Sequence, residues 1–376
     1  MDNRTFNVIR ISVAFGAGSN KAVKLCDKLH KEGILDLLPE EAVNRAGTDE
    51  KSKDKILSVG IEQVKSVISV CVKENIRIIT LFDEAYPERL KNITPPPLVL
   101  YVLGSLPDVD NEPLFCIVGP RRISEFGKKA AFSLSRRLSK SGMTMVSGAA
   151  SGADTAVHLG ALDAGAGSVM VTADGIVTQI KSSNHVLCDK LLKKGCMISE
   201  NPPLYVANKF SFPIRNRIMS GLSVGVAVVE APKKSGSLIT ASHAAEQGRD
   251  VFVIPGNPVD KHYAGSNGLL RDGATPILDA SDIFTRYIPD FPEKINLLKA
   301  FSGEGGEKKK KPQKKSPESL SKEAFLVYNN LDWPEFSVDD LSALGLDGSV
   351  LLSALTELEM EHFISSLPGG LYRIKD

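Results

Sequence analysis

Two paired-arginine elements and two turns of serine and glycine together suit the binding of phosphate groups. Small residues let backbone N–H groups approach an anion at a helix N-terminus, while arginines supply forked donors to phosphate oxygens. The candidate binding residues in the four turns are Gly119, Arg121, Arg122, Ser147, Gly148, Arg215, Asn216, Arg217, Ser235, Gly236 and Thr240. For any single turn, a tight turn or a solvated loop is the alternative interpretation. Taken together, the turns predict a site for an anionic ligand.

The elements that must position these turns are short, continuously apolar runs separated by amphipathic helical patterns. The runs begin at Phe115, Met143, Val169, Met197, Val224 and Val251. Strands that are apolar on both faces and alternate with helices predict a parallel sheet covered on both sides, with right-handed crossovers. The fold class is therefore α/β, with a Rossmann-like doubly wound core. Ligands of such sheets bind beyond the carboxyl ends of the strands, where these turns lie.

Several catalytic functions lack their sequence motifs. There is no GxGxxG for a dinucleotide and no GxxxxGK[ST] for triphosphate hydrolysis. Asp154 and His158 are one helical turn apart and could be taken for an acid/base pair. However, Asp154 stands where it would start or cap a helix, and His158 is expected to pack against the sheet. The five cysteines and six histidines are dispersed and show no metal-ligand spacing. We assign no catalytic residue, no metal and no cofactor, and expect reduced, buried thiols.

The composition of the 376 residues describes a globular chain without an overall field for polyanions. Lys and Arg number 46 against 45 Asp and Glu, so the net charge is +1 and any polyanion site must be local. Hydrophobic residues make up 42%, which is enough for a packed core. No apolar run reaches the length of a membrane span and the N-terminus lacks a signal-peptide pattern, so we expect a cytoplasmic protein.

The pattern along the chain predicts five segments. Residues 1–75 form a helical domain of helix-hairpin-helix or SAM-like type, and 76–111 a proline-containing connector. Residues 112–290 form the Rossmann-like domain, 291–319 a basic disordered linker, and 320–376 a winged-helix domain. In the first segment, the turn Gly16–Gly18 could bring backbone amides to a DNA phosphate; a plain tight turn is the alternative.

Taken together, these motifs make the chain resemble the DNA-processing protein A (DprA, or Smf) family. The shared strings include Val118-Gly119-Pro120-Arg121, Phe212-Pro213-Ile214-Arg215-Asn216-Arg217 and Ser235-Gly236-Ser237-Leu238-Ile239-Thr240-Ala241. The resemblance implies a homodimer that binds single-stranded DNA and loads the recombinase RecA, in natural transformation or DNA recombination, without turnover. It also implies that Arg121 and Arg122 bind the DNA backbone and that Arg215 and Arg217 line the same pocket. The amides and hydroxyls that contact phosphates would come from Ser147, Gly148, Ser235, Gly236 and Thr240.

This chain departs from the family pattern in two turns. Ser151 and Ala153 stand where an arginine and a branched apolar residue are usual, and Ile180-Lys181 stands for Tyr-Pro before Asn184. An aromatic residue there could stack on a base, and Lys181 could offset its loss through a phosphate contact, so Lys181 and Asn184 join the candidates. We expect Glu200 and Glu230 to hold arginines in place rather than to transfer protons.

Two other functions stay open. One is a nucleotide N-glycosidase-like enzyme in the same strand-end pocket, although His243 occupies the position where its motif needs a glutamate. The other is a sensor that binds a small nucleotide.

The C-terminal segment is acidic. Nine acids stand against Lys322 between residues 320 and 372, and the helical pattern from Gly348 to Glu361 contains no Lys or Arg. A winged helix that reads DNA presents a basic recognition helix, so this segment is predicted to bind protein. We expect the isolated segment 320–376 not to bind DNA at physiological salt in an anisotropy titration. Binding there would refute the protein-binding assignment.

Overall fold

The computed structural model describes residues 2–182, 185–296, 299, 320–331, 335–344, 346–361, 363–367 and 371–374. The chain divides into two compact units, Met1–Ala300 and Phe301–Asp376. Among the described helices, none has the length and apolarity needed to cross a lipid bilayer. All five cysteines are buried with free thiols, as the sequence predicts.

The helices of the first unit are α1 (Asn3–Phe15), α2 (Asn20–Lys31), α3 (Pro39–Arg45), α4 (Glu50–Leu57), α5 (Ile61–Lys73), α6 (Glu88–Lys91), α7 (Glu125–Lys140), α8 (Ala153–Asp163), α9 (Ile176–Ile180), α10 (His185–Leu192), α11 (Ser211–Leu222), α12 (Gly236–Glu246), α13 (Ser266–Arg271) and α14 (Ser281–Tyr287). Its strands are β1 (Arg77–Thr80), β2 (Val99–Gly104), β3 (Leu114–Val118), β4 (Thr144–Ser147), β5 (Ser168–Val171), β6 (Cys196–Ser199), β7 (Gly225–Val228), β8 (Asp250–Val253) and β9 (Thr275–Pro276). Short 3-10 helices lie at Ile34–Asp36 and Lys261–Tyr263.

The described strands of this unit form one sheet in the order β1-β2-β6-β5-β4-β3-β7-β8-β9. The six apolar runs are β3 to β8, and they pair in parallel. From β3, the successive strands β4, β5 and β6 are added on one side. The next strand, β7, then pairs with the other side of β3. This reversal is the switch point at which doubly wound sheets open a crevice, so the doubly wound prediction is confirmed.

Residues 76–111 do more than connect domains. They supply β1 and β2, which add two antiparallel strands beyond β6. The prolines Pro95–Pro97 lie between these strands, at a position where a missing N–H does not interrupt the sheet's hydrogen bonding. The segment is therefore part of the sheet, a difference from the predicted connector.

Three apolar cores cover the two faces of the sheet. Alternate residues of each strand point to opposite faces, so Cys116 and Val118 pack under α11 and α12 while Phe115 and Ile117 pack under α7 and α8. The N-terminal helices share a core with the β2, β5 and β6 end of the sheet. Residues 1–300 are consequently one compact unit rather than separately packed domains.

The predicted linker begins later than residue 291. Ile295 is buried in the core under α7, and the Asn296 amide donates to the Ser141 carbonyl at 2.8 Å. Residues 297–319, apart from Lys299, lie outside the described residues, so the prediction of disorder there stays a prediction. The division of the chain into five segments likewise remains a proposal.

The second unit contains α15 (Lys322–Asn329), a 3-10 helix (Asp339–Leu344) and α16 (Gly348–Met360). Strands β10 (Glu335–Ser337), β11 (Ile364–Leu367) and β12 (Leu371–Ile374) form a sheet in the order β10-β12-β11. Leu355 and Leu358 of α16 pack into its apolar core. This is the predicted winged helix, with a 3-10 helix in place of the second helix and an added strand, β10. The predicted Pro368-Gly369-Gly370 turn lies outside the described residues.

Candidate functional site

A groove lies at the switch point, beyond the carboxyl ends of β3 and β7. It holds one pocket of about 300 Å³ and a second of about 220 Å³, which share the side chains of Arg121, Phe212 and Arg215. The predicted site residues that line the first pocket are Gly119, Arg121, Arg215, Asn216, Ser235, Gly236 and Thr240. Three of the four predicted turns therefore bring candidate residues to this pocket, and the second turn lines it through Ala150 and Asp154.

Arg121 is an exposed cation that lines both pockets of the groove. Its guanidinium lies over the Phe212 ring, 4.6 Å from the ring centroid, so the planar charge is oriented and its outer donors face solvent. The turn that carries it is held against α8, because the Ala153 amide donates to the Pro120 carbonyl at 3.3 Å. Gly152, with φ +84°, permits this approach, since a Cβ there would overlap the carbonyls of Pro120 and Arg121.

Arg215 forms the wall between the two pockets. It is buried, its Nη1 donates to the Val171 carbonyl, and its Nε donates to the Asn216 side-chain oxygen at 3.2 Å. Burial lowers the pKa of Arg215, while the charge of Asp154 opposes that shift. Arg215 therefore contributes a fixed positive charge, and Arg121 the accessible donors.

The fourth turn brings a helix N-terminus and an unsatisfied hydroxyl to the first pocket. Ser235 caps α12 by accepting a hydrogen bond from the Ser237 amide at 3.3 Å, and Gly236 leaves the first turn of the helix open. Thr240 is 1% exposed, lines the pocket, and its Oγ1 has no hydrogen-bond partner among the described residues. Helix N-terminus and hydroxyl both suit an anionic ligand.

Arg217 does not line either pocket. Residues two apart on an α-helix point about 200° away from each other, so Arg215 and Arg217 cannot share a face of α11. Arg217 is 3% exposed, and its Nη2 donates to both oxygens of Glu200, at 2.8 and 2.9 Å. Glu200 thus holds an arginine as expected. Glu230 does not: it accepts from the Ser124 amide at 2.9 Å and from the Ser124 hydroxyl, and so fixes the start of α7.

Ser147 and Gly148 shape the groove from behind. Ser147 is buried, and its hydroxyl donates to the Ile117 carbonyl at 2.8 Å, so it is not free to contact a ligand. Gly148 has no room for a side chain, because a Cβ would overlap Asp154 and Arg215. Both residues build the loop that supports Arg215 and line neither pocket.

The outcome differs among the remaining candidates and the two turns that depart from the family pattern. Arg122 and Lys181 are exposed and line neither pocket, and Asn184 lies outside the described residues. Ser151 lines the second pocket, so the arginine usual at this position in the family is replaced inside the groove. Ile180 packs against the core of the N-terminal helices instead of facing a pocket.

Two groove residues were not among the candidates predicted from the sequence. Phe212 and Lys234 line the first pocket. The pair Lys233-Lys234 directly before the Ser235 cap was the available signal. Lys209 and Phe210 are exposed immediately before α11, with the Lys209 Nζ 5.0 Å from the centroid of the Phe210 ring. Phe210 precedes the pocket residue Phe212 by two positions, and neither Lys209 nor Phe210 lines either pocket.

Asp154 and His158 do not form an acid/base pair with each other. Asp154 accepts from the Ala150 amide at 3.1 Å. Its Oδ1 also lies 3.1 Å from the Ser147 hydroxyl and shares that single proton with the Ile117 carbonyl. The His158 Nε2 lies 2.8 Å from the Gly148 carbonyl and its Nδ1 lies 2.9 Å from the Ser168 hydroxyl. A carbonyl only accepts, so Nε2 carries the proton and Nδ1 accepts from Ser168. No group of three or more metal-binding side chains occurs among the described residues.

The sequence matches known proteins in two regions. Residues 77–288 match the family described as DNA recombination-mediator protein A, and residues 311–370 match the DprA winged helix domain. The chain is 37% identical over 241 residues to the DNA processing protein DprA of Bacillus subtilis, an alignment that covers 63% of this chain and 81% of that protein.

Two solved structures resemble the fold. DNA processing protein A from Streptococcus pneumoniae superposes with a TM-score of 0.66 and 28% identity, covering 76% of this chain and 98% of that one. DNA processing protein A from Helicobacter pylori, in a structure concerned with its single-stranded DNA binding mode, gives a TM-score of 0.52 and 28% identity over 58% of this chain and 98% of that one.

The burial of His158 predicts an acid-sensitive fold. Burial lowers the pKa of this histidine below its ordinary value of about 6.5, so the folded protein takes up its proton at lower pH than the unfolded chain does. The contribution of neutral His158 to the free energy of unfolding is therefore fully present above the ordinary pKa. It decreases as the pH falls from there towards the lowered pKa of the folded protein. The free energy of unfolding, measured in urea at pH 7.5 and at pH 5.5, should decrease less between these two pH values for His158→Gln than for wild type. The exposed His185→Gln is the control, and an equal decrement in all three proteins would contradict this assignment.

Proposed function

The chain belongs to the DNA recombination-mediator protein A family, and from that premise we propose that it binds single-stranded DNA without strong sequence preference. The observation that carries the proposal is the groove itself, where exposed Arg121 stands over Phe212 beside the unpartnered Thr240 hydroxyl and the N-terminus of α12. Arginine, amide and hydroxyl donors recognise phosphates, which every nucleotide carries, so they position a strand without reading its bases. The small net charge of +1 is compatible with this, because Arg121, Arg215 and Lys234 place positive charge at the groove itself.

The groove suits a strand better than a duplex. Two pockets lie side by side and share Arg121, so consecutive nucleotides can occupy both while one arginine contacts the backbone between them. Aromatic surface is present at Phe212 and at exposed Phe210, and unpaired bases can stack on such rings. Bases held inside a duplex do not expose their faces in this way.

The proposed activity is binding without turnover. The carboxylates that line the two pockets, Asp154 and Asp174, both serve the local backbone: Asp154 accepts from the Ala150 amide, and Asp174 accepts from the Ala207 amide at 2.7 Å. A nucleotide N-glycosidase needs a free carboxylate beside the sugar to stabilise developing positive charge. The small-nucleotide sensor differs from the strand binder in one respect, because it would bind a mononucleotide as tightly as an oligonucleotide.

Other parts of the proposal rest on family membership, and the role of the winged helix rests on its acidity. We propose that the protein acts as a homodimer in the cytoplasm, loads RecA onto the bound strand during natural transformation or recombination, and uses its acidic winged helix to bind a protein. The apolar side chains of Phe325, Leu326 and Leu352 are exposed on α15 and α16, which suits a protein partner for that unit.

Arg121→Ala tests the groove. We expect its Kd for a labelled single-stranded oligonucleotide to rise about tenfold, and the slope of log K against log salt to fall by about 0.7 for each lost phosphate contact. Fluorescence anisotropy at several salt concentrations measures both. Arg45→Ala removes the same charge from α3, away from both pockets, and should bind like wild type. Equal affinities for Arg121→Ala and wild type, or efficient displacement by a mononucleotide, would refute strand binding in this groove.

RecA loading has its own test. In a filament-assembly assay on single-stranded DNA, the wild-type protein should shorten the lag before RecA polymerises, because it delivers recombinase to a strand it already holds. Arg121→Ala should lengthen the lag towards that of RecA alone, and Arg45→Ala should not. If the wild-type protein binds the strand but leaves the lag unchanged, the proposal of RecA loading is refuted and that of DNA binding is not.

A further inference from the structure

A buried contact joins the N-terminal helices to the helix that carries Arg215. The Gly18 amide, in the turn between α1 and α2, donates to Glu200 Oε1 at 3.0 Å. The same carboxylate accepts both hydrogen bonds from Arg217 of α11, and the ion pair is 4% and 6% exposed. The amide that sequence analysis considered for a DNA phosphate is therefore already bound to a protein carboxylate.

Gly18 also contacts α11 through packing. A Cβ at this position would lie 2.7 Å from Ile214 Cγ2 and 3.8 Å from Arg217 Nη2. Ile214 is branched at Cβ, so its methyl group cannot swing away easily, and relief would require a shift of the helix. The next residue along α11 is Arg215, the wall of the groove.

From this geometry we infer that Gly18 and Glu200 are positioning residues for the groove: the N-terminal turn sets the placement of the first turns of α11 and thereby of Arg215 and Asn216. The inference rests on the proposed DNA-binding function. One face of α11 contacts the ligand site, and the opposite face, through Arg217 and Ile214, contacts the N-terminal helices. A displacement on one face is transmitted to the other because a helix moves as a rigid body.

Glycines 16 and 18 provide a matched pair of variants. Both have positive φ, +79° and +72°, so alanine is strained at either position. A Cβ at Gly16 would have no neighbour within 4 Å, whereas one at Gly18 would press on α11. Gly18→Ala should raise the Kd for single-stranded DNA about tenfold, while Gly16→Ala should stay within about twofold of wild type. Both are measured by anisotropy at a temperature where circular dichroism shows full folding.

A second-site change separates helix displacement from general destabilisation. Ile214→Ala removes the methyl group that the new Cβ would meet, so the double variant Gly18→Ala/Ile214→Ala should recover affinity to near that of Ile214→Ala alone. Backbone strain at residue 18 is the same in the single and double variants. Recovery therefore reports relief of pressure on α11, and a merely structural role of the turn would not produce it.

Hydrogen exchange on the wild-type protein gives a test that needs no variant to fold. If the turn and the groove are coupled, saturation with single-stranded DNA slows exchange of the Gly18 amide, because binding at one site stabilises the other. The amides of α4 serve as the reference segment. Slowed exchange at Gly18 alone supports the coupling, and unchanged exchange contradicts it.

The outcomes distinguish this inference from the proposed function. A loss of affinity in Gly18→Ala, its absence in Gly16→Ala and its rescue by Ile214→Ala support the positioning role. Equal effects of the two glycine variants, or a loss that Ile214→Ala does not rescue, would overturn it while leaving DNA binding intact. If Arg121→Ala binds like wild type, the groove assignment fails, whatever the glycine variants do.

Discussion

The ion pair between Glu200 and Arg217 lies where the sheet, the N-terminal helices and α11 meet. Both side chains are almost completely buried, so each charge depends on the other for its solvation, and removal of either would leave an unpaired charge in the interior. A buried pair of this kind adds little net stability, but it permits few alternative placements of the elements that carry it. Through Glu200, the end of β6 fixes α11 and the Gly16–Gly18 turn together.

The groove depends on this placement because its two arginines have different tasks. Arg215 is carried by α11, and its buried side chain donates to the Val171 carbonyl of β5. A shift of α11 would therefore move Arg215 as well. Arg121 belongs to another turn, at the end of β3, and is exposed over Phe212. The two arginines of the groove are therefore carried by different elements, α11 and the turn after β3, and the position of each arginine follows the element that carries it.

Several residues whose types suit phosphate binding are used to build the site. Ser147, Gly148, Asp154 and His158 form a hydrogen-bonded frame behind Arg215, in which each polar group has a protein partner. Thr240 is the contrast, since its hydroxyl is buried at the pocket and has no partner among the described residues. Residue type alone cannot separate the two cases, because a serine or threonine hydroxyl bonds a carbonyl and a phosphate equally well.

The sequence by itself determined the six parallel strands, the strand-end location of the site and the winged helix, because continuous apolar runs, strand-end turns and helical periodicity are local patterns. Arg215 and Arg217 were both expected to line the same pocket, although residues two apart on a helix face different ways. Only the tertiary structure decided which of them faces the groove, because that depends on what α11 packs against. The same holds for Gly18 and Glu200, which are 182 positions apart and meet only in the fold. Strands β1 and β2 were missed for a related reason: antiparallel pairing at the edge of a parallel sheet depends on a distant partner, β6, and not on their own short sequences.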